Sequence, residues 1–279
     1  MIVDAHQHFW DLRLFPQDWL AGPEMKPIRR TFLPKNLAPL LRKAGVDRTV
    51  FVQTKHDLAE NRWVLGLADE HEWIGGVVGW VDLRSPRCEE QIVEFREHPK
   101  FVGVRHVVQD EPDGDWIVRP DVLRGLKALQ KHGVPYDLLF TAKHLKHAAT
   151  VARKLPGLRL VIDHLSKPDI RGARILGWID EFRSAAEFPN VYCKLSSMAT
   201  QADWKRWRLA DLRPYVQAAL DLFGPDRLMF GSDWPVCLLA TTYQEWFDAI
   251  TDLLEPLSRD ERARIMGGTA AQFYRLKGA

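Results

Sequence analysis

The sequence has only three cysteines in 279 residues, Cys88, Cys193 and Cys237, and they lie far apart. An odd number of cysteines without a Cys-x-x-Cys pair excludes a disulfide framework and a cysteine-based zinc site. No apolar run approaches the length of a transmembrane helix. Asp4 and His6 interrupt the N-terminal stretch where a secretory signal would be apolar. We therefore expect a cytoplasmic protein with no membrane partner.

A strong excess of charge of one sign is also missing. The chain has 39 Lys and Arg against 37 Asp and Glu, a formal net charge of +2. Basic residues are spread along the chain and form no dense stripe of the kind that binds phosphates, so we expect no nucleic-acid partner. The 46% hydrophobic and 27% charged residues are ordinary for a globular protein and exclude a disordered chain.

Eight short, mainly apolar segments alternate with segments of helical periodicity. Strands covered by helices on both faces are apolar throughout, and an intervening helix implies parallel strands. The predicted strands are 2–7, 49–53, 75–81, 101–106, 135–140, 158–163, 190–196 and 227–232. The predicted helices are 37–44, 61–71, 89–98, 122–132, 145–155, 174–186 and 212–223.

Eight such repeats in this length predict an α/β fold, a (β/α)8 TIM-type barrel, as a single domain over residues 1–279. A doubly wound sheet usually has fewer strands and a glycine-rich first turn, and no such turn follows Gln7. Residues 9–34 form a long connection with little periodicity. Long connections of this kind are often binding loops, and this one is expected to cover the barrel mouth.

Polar residues close most of the predicted strands, and active sites of TIM barrels lie at the carboxyl ends of the strands. These residues are His6, His8, Gln53, Lys55, Trp80, Asp82, Arg105, His106, His164, Lys194, Ser196, Asp233 and Trp234. The remaining histidines are expected at the surface or as helix caps. They are His56, His71, His98, His132, His144 and His147.

His6 and His8 lie two residues apart on one strand, so both imidazoles can point to one place. Such a pair is more often structural when it occurs alone. Asp233 and His164 close other strands of the same predicted barrel, which favours a functional site. A carboxylate beside histidines can either ligate a divalent metal or act as a general base. The candidate metal ligands are therefore His6, His8 and Asp233.

Three cations, Lys55, Arg105 and Lys194, also occupy strand ends, where burying a charge requires a partner. Their partners are either a substrate or internal carboxylates, for which the candidates are Asp82, Asp137 and Asp233. Aromatic rings near the mouth can supply flat surfaces for a ligand such as a sugar ring, and polar side chains can bond hydroxyls. The rings expected there are those of Trp10, Trp80 and Trp234, and Gln53 is a further expected hydroxyl partner.

Several motifs together resemble the amidohydrolase-related (amidohydrolase 2) family, specifically its sugar-lactonase branch of L-fuconolactonase-like and L-rhamnonolactonase-like enzymes. They are IVDAHQHFWD at 2–11, QTK at 53–55, GWVDL at 79–83, GVRH at 103–106, DHLSKP at 163–168, KLS at 194–196, GSDWP at 231–235 and FYRL at 273–276. The resemblance covers nearly the whole chain. It implies a distorted (β/α)8 barrel that hydrolyses a lactone. Asp233, His164 and the His6 and His8 pair match the family's strand-end residues.

The fifth predicted strand departs from the metal-dependent members of the family. They carry a histidine or a carboxylated lysine there, whereas this chain has Tyr136-Asp137-Leu138-Leu139-Phe140. The resemblance therefore implies at most one divalent metal, zinc or manganese, that is weakly bound or non-essential. It implies no organic cofactor.

The hypothesis from the sequence is that the protein opens a sugar lactone to the aldonic acid. Asp233 would take a proton from a water that attacks the lactone carbonyl, and His164 would assist. The alternatives are a pyrone-dicarboxylate lactonase, a metal-dependent decarboxylase of an aromatic acid and a non-catalytic sugar-binding barrel. A dicarboxylate would require several converging arginines, and Arg105 is the one arginine at a predicted strand end. The sequence leaves the oligomeric state open.

Overall fold

The computed structural model describes residues 1–277 and contains all eight predicted strands, with ends that differ from prediction by a few residues. The strands are β1 (Val3–Gln7), β2 (Arg48–Val52), β3 (Ile74–Gly79), β4 (Phe101–His106), β5 (Tyr136–Leu138), β6 (Leu160–Ile162), β7 (Val191–Leu195) and β8 (Leu228–Phe230). They form one sheet in sequential order, and every adjacent pair is parallel. The predicted barrel architecture is confirmed.

Each strand is followed by helical structure, as a parallel barrel requires. The α-helices are α1 (Pro34–Ala44), α2 (Leu58–Glu70), α3 (Cys88–Arg96), α4 (Pro120–His132), α5 (Lys146–Lys154), α6 (Trp178–Ala186), α7 (Leu209–Phe223), α8 (Tyr243–Leu253), α9 (Arg259–Ala263) and α10 (Thr269–Tyr274). Short 3-10 helices cover Asp18–Ala21, Pro23–Ile28, Val108–Asp110, Trp116–Val118, Ala142–His144, Asp163–Ser166, Ala199–Gln201, Pro225–Arg227 and Val236–Leu239, and a π-helix covers Arg264–Gly268.

The ends of several helices follow from local sequence. Gly45 and Gly133 adopt φ of 69° and 66° directly after α1 and α4, a left-handed cap that glycine accepts without strain. At α8, Thr242 accepts a hydrogen bond from the backbone N–H of Glu245. None of the helices in residues 1–277 is both long and apolar enough to cross a membrane.

Closure of the barrel between β1 and β8 depends on few backbone contacts and one buried carboxylate. His8 N–H donates to Trp234 O, and Asp233 N–H donates to His6 O, both at 2.7 Å. The fully buried Asp4 accepts hydrogen bonds from the backbone and hydroxyl of Ser232 and from the hydroxyl of Tyr243. These contacts fix the first strand, and thereby His6 and His8, against the end of β8.

The long connection after β1 lies over the carboxyl end of the barrel, as predicted. The indole N–H of Trp10 donates to Arg30 O at 2.7 Å, which holds the two ends of the connection together. The connection also contacts the end of β2, because Gln17 Nε2 donates to Thr54 Oγ1 at 2.7 Å. That the chain forms one domain over residues 1–279 stays a prediction, and its last two residues lie outside the described ones.

Candidate active site

A cavity of about 770 Å³ lies at the carboxyl ends of the strands. Its wall combines residues from strand ends with residues from the loops that follow them. The polar wall residues include His8, Gln17, Lys55, His56, Arg105, Glu111, His164, Lys167, Ser197 and Asp233, and the aromatic ones are Trp10, Trp19 and Trp204. The position agrees with the usual location of active sites in this fold.

At the floor of the cavity, His6, His8 and Asp233 converge. His6 Nε2 and His8 Nε2 are 3.2 Å apart, and Asp233 Oδ1 lies 3.1 Å from His8 Nε2 and 3.6 Å from His6 Nε2. Gly231 permits this approach, because a Cβ at that position would lie 2.8 Å from the Cβ of His6.

Polar groups behind the two rings hold them in place. His8 Nδ1 lies 2.6 Å from the carbonyl oxygen of Val52, which only accepts, so Nδ1 carries a proton. Both nitrogens of His6 contact cationic side chains, because Arg105 Nη1 donates to His6 Nε2 at 3.2 Å and Lys194 Nζ lies 3.2 Å from His6 Nδ1. Asp163 Oδ1 is 3.3 Å from the same Nδ1.

Two imidazole nitrogens and one carboxylate oxygen thus lie close together. This donor set fits a divalent cation such as zinc, since histidine nitrogens and carboxylate oxygens are its usual ligands. The three ligand atoms lie within 4.8 Å of one another. The His6, His8 and Asp233 side chains predicted as metal ligands are therefore brought together.

Asp233 is held as a carboxylate at neutral pH. Its burial opposes ionisation, but His164, His8 and His6 outweigh that effect and keep the pKa of Asp233 below its usual range. Ser197 Oγ donates a hydrogen bond to Asp233 Oδ2. Oδ1, which lies beside the histidines, is the oxygen placed to receive a proton.

His164 lies 3.8 Å from Asp233, measured from Nε2 to Oδ1, and its Nδ1 contacts Ser196 Oγ at 2.7 Å. Burial lowers the pKa of His164 to about 4, so the ring is neutral at pH 7. Residues 164–167 all have φ between 52° and 57°. Four consecutive left-handed residues other than glycine are costly, and such strain is concentrated at functional sites. The turn brings His164 and Lys167 into the cavity wall.

A layer of buried ion pairs lies beneath the floor. Lys194 Nζ is 2.6 Å from Asp137 Oδ2 and 3.0 Å from Asp163 Oδ1, and all three side chains are 0% exposed. Arg105 Nη1 adds a contact of 3.1 Å to Asp163 Oδ2. Burial opposes ionisation of Asp163, but Lys194, His6 and Arg105 outweigh it and hold its pKa well below the usual range. This layer orients His6 from behind.

The structure separates the predicted site residues into those that reach the cavity and those that support it. Lys55, Arg105 and Trp10 belong to the wall, together with His8, His164 and Asp233. Lys194 instead makes the internal ion pair with Asp137, one of the two interpretations left open for it. Gln53 is fully buried and donates to Arg105 O at 3.2 Å.

Two expected stacking residues need correction. Trp234 is 1% exposed and packs edge-to-face against Phe9 and Phe32, so its ring cannot meet a ligand. Trp80 donates from Nε1 to His106 Nδ1 at 3.0 Å and lies behind the wall formed by the described residues. Along a regular strand, alternate side chains face the barrel axis. The ends of these strands are irregular, so the sequence pattern did not predict which rings face the cavity.

Several wall residues were not predicted from the sequence. Trp19, in the short 3-10 helix Asp18–Ala21, and Trp204, in a loop, supply aromatic surface from segments whose sequence shows no helical periodicity. Lys167 is part of the DHLSKP motif, so the motif itself could have indicated it. His56, expected at the surface or as a cap, is exposed but faces the cavity, and Glu111 lies beside it.

A parallel (β/α)8 barrel with two histidines at the end of its first strand and an aspartate after its eighth strand defines a class of barrel hydrolases. The chain belongs to the Amidohydrolase family, whose model matches residues 3–276.

Characterised relatives cover nearly the full chain. The chain is 39% identical to an L-fucono-1,5-lactonase of Burkholderia ambifaria, over 98% of this chain and 95% of that enzyme. It is also 39% identical to an L-fucono-1,5-lactonase of Burkholderia multivorans, over 98% and 96%. A crystal structure of an amidohydrolase from Burkholderia multivorans with bound zinc superposes with a TM-score of 0.95 at 37% identity, over 99% of both chains.

Proposed function

We propose that the protein hydrolyses a sugar lactone, of the L-fucono-1,5-lactone type, to the aldonic acid. The observation that carries this proposal is the position of the Asp233 carboxyl group in a cavity wall beside His6 and His8. The similarity to two L-fucono-1,5-lactonases supports the choice of substrate class. A cavity of about 770 Å³ also has the size expected for a small-molecule ligand.

In the proposed reaction Asp233 Oδ1 takes a proton from a water molecule while the water oxygen forms a bond to the lactone carbonyl carbon. The carbonyl oxygen becomes an oxyanion in the tetrahedral intermediate. The bond between this carbon and the ring oxygen then breaks, and the ring oxygen takes the proton back from Asp233. His164, at 3.8 Å from Asp233, is placed to stabilise the protonated carboxyl group or to relay its proton.

His6, His8 and Asp233 are the residues that would hold a divalent cation, zinc or manganese. When bound, such an ion supplies Lewis-acid stabilisation of negative charge on oxygen. The fifth strand ends in Leu138, followed by Leu139 and Phe140, and offers no further ligand. We therefore propose weak or non-essential binding, with Arg105 as a permanent positive charge beside His6.

A sugar lactone fits the wall better than a dicarboxylated pyrone. Arg105 is the only arginine that residues 1–277 contribute to the wall, accompanied by Lys55 and Lys167. Two substrate carboxylates would require several converging arginines. The aromatic rings of Trp10, Trp19 and Trp204 instead provide apolar surface that suits a sugar ring. A cytoplasmic location remains part of the proposal.

The test is acid release from a panel of aldono-1,5- and 1,4-lactones, followed with a pH indicator before and after chelation. We expect Asp233→Asn to lower kcat by about 10²- to 10⁴-fold while the lactone still binds. Asp252→Asn, an exposed carboxylate on α8, is the matched control and should act like the wild type. Absence of hydrolysis of every lactone, or full activity of Asp233→Asn, would refute the proposal.

A further inference from the structure

A second polar cluster lies in the cavity wall and has no part in the reaction above. It consists of His56, after β2, His106, the last residue of β4, and Glu111, after β4. A nitrogen of each ring and a carboxyl oxygen of Glu111 lie within 4.8 Å of one another. The rings are held in a stack: His106 lies 3.8 Å from His56 and 3.9 Å from Trp116, measured between centroids.

The proton positions in this cluster follow from partners that can only donate. Trp80 Nε1–H donates to His106 Nδ1 at 3.0 Å, so His106 Nε2 carries the ring proton and donates to Glu111 Oε1 at 2.7 Å. Burial also lowers the pKa of His106 to about 3, which keeps the ring neutral. The backbone N–H of Val107 donates to His56 Nε2 at 3.0 Å, so the proton of His56 is on Nδ1.

This arrangement excludes metal binding at the cluster. Neither His106 nitrogen has a free lone pair, because Nδ1 accepts from Trp80 and Nε2 carries a proton. The lone pair of His56 is likewise taken by Val107.

Two hydrogen-bonding groups of the cluster remain without a protein partner among residues 1–277. His56 Nδ1–H is a donor, and Glu111 Oε2 is an acceptor on a side chain that is 21% exposed. Both residues belong to the cavity wall. The stack of His106 and Trp116 fixes His56, and the hydrogen bond from His106 fixes Glu111. A fixed donor beside a fixed carboxylate acceptor is complementary to two neighbouring hydroxyls, each of which can donate and accept.

The geometry points to His56 and Glu111 as a subsite for a vicinal diol of the sugar ring. One hydroxyl accepts from His56 Nδ1, and its neighbour donates to Glu111 Oε2. This inference rests on the proposed lactone hydrolysis and specifies which part of the substrate the opposite wall recognises. A site built to bond hydroxyls rejects analogues that lack them, so these two residues determine specificity.

The experiment compares Glu111→Gln and His56→Phe with the wild type on two lactones. One is L-fucono-1,5-lactone, and the other is δ-valerolactone, which has no hydroxyl. His98→Phe is the matched control, because His98 precedes β4 at the opposite end of the barrel and pairs with Asp69. We expect Glu111→Gln and His56→Phe each to lower kcat/KM on the fuconolactone by about 10- to 100-fold. Their kcat/KM on δ-valerolactone should equal that of the wild type.

Mono-deoxy analogues of the fuconolactone make the test specific. Removal of the hydroxyl that contacts Glu111 should reduce kcat/KM in the wild type and have no further effect in Glu111→Gln. An equal loss on δ-valerolactone and fuconolactone in both variants would overturn the subsite, because it would show an effect on the fold or on the reacting centre.

Binding of 1,5-anhydro-L-fucitol, a cyclic polyol without a carbonyl group, separates this inference from the proposed reaction. Binding by the wild type and its loss in Glu111→Gln, measured by calorimetry, would support the subsite even if no lactone were hydrolysed. Equal affinity of the wild type and both variants for this polyol would overturn it, whatever the outcome of the hydrolysis assay.

Discussion

Replacing Lys194 by methionine tests the buried ion-pair layer beneath the active site. Methionine retains much of the volume of the side chain but removes the ammonium group that contacts Asp137 at 2.6 Å and Asp163 at 3.0 Å. Asp163 keeps Arg105 at 3.1 Å. Asp137 keeps only the hydroxyl of Tyr274, at 2.8 Å, among its described partners. The substitution therefore leaves a fully buried carboxylate without a counter-charge.

Removal of one partner from a buried ion pair costs about 3–5 kcal/mol, and we expect a loss of that size at pH 8. The loss should shrink as the pH falls. Burial already raises the pKa of Asp137 to about 6 although Lys194 opposes it, and without Lys194 the pKa rises further. A group whose pKa is raised by folding favours the folded state at low pH and loses that contribution as the pH rises.

Urea unfolding of Lys194→Met at pH 6 and pH 8 measures both effects. The double variant Lys194→Met/Asp137→Asn is the control, because it removes the unpaired charge and should regain at least about 1 kcal/mol relative to Lys194→Met. A loss of unfolding free energy below about 1 kcal/mol at pH 8 would refute this prediction, because it would show that Lys194 does not compensate a buried charge on Asp137. A loss of unfolding free energy that is the same at pH 6 and pH 8 would refute the role given to Asp137.

Three further predictions concern other groups of the barrel. Burial raises the pKa of Glu60 from 4.5 to about 7, so wild-type stability should fall between pH 5 and 8 by roughly 2–3 kcal/mol more than that of Glu60→Gln. Equal pH dependence of unfolding in both proteins would contradict this. Tyr243→Phe removes a donor to Asp4 and should cost about 1–2 kcal/mol in urea unfolding, and unchanged stability would show that barrel closure does not need it. Because neither Asp233 nor His164 titrates near neutrality, kcat/KM should be constant from about pH 5.5 to 8, and a bell-shaped profile in that range would argue against these groups.

Local sequence predicted the fold well because the signals involved are local. The apolar run recurs eight times and a segment of helical periodicity follows seven of these runs, so each repeat can be recognised without knowledge of its neighbours. The rule that barrel sites lie at the carboxyl ends of strands then selected His8, Arg105 and Asp233, all of which reach the cavity. The two-residue spacing of His6 and His8 was enough to bring their Nε2 atoms within 3.2 Å.

The orientation of side chains at the strand ends could not be predicted from the sequence. Trp234 is adjacent to Asp233, yet one side chain packs into the core and the other lines the cavity. The backbone at Asp233 has φ of 55°, which breaks the alternation that would otherwise have predicted this. Stacking roles assigned from position alone therefore succeeded for Trp10, which lies in the wall, and misplaced Trp80 and Trp234.

The partners of buried charges were decided by tertiary structure alone. Lys194 had three candidate carboxylates in the sequence analysis, and the fold selects Asp137, 57 residues away, with Asp163 in addition. The pairing of His56 with Glu111 through His106 depends on two loops that meet only when β2 and β4 are both in the barrel. Periodicity and motifs report which elements form. The pairing of charges and the pattern of hydrogen bonds depend on distances between residues that are remote in sequence. Only the folded barrel establishes those distances.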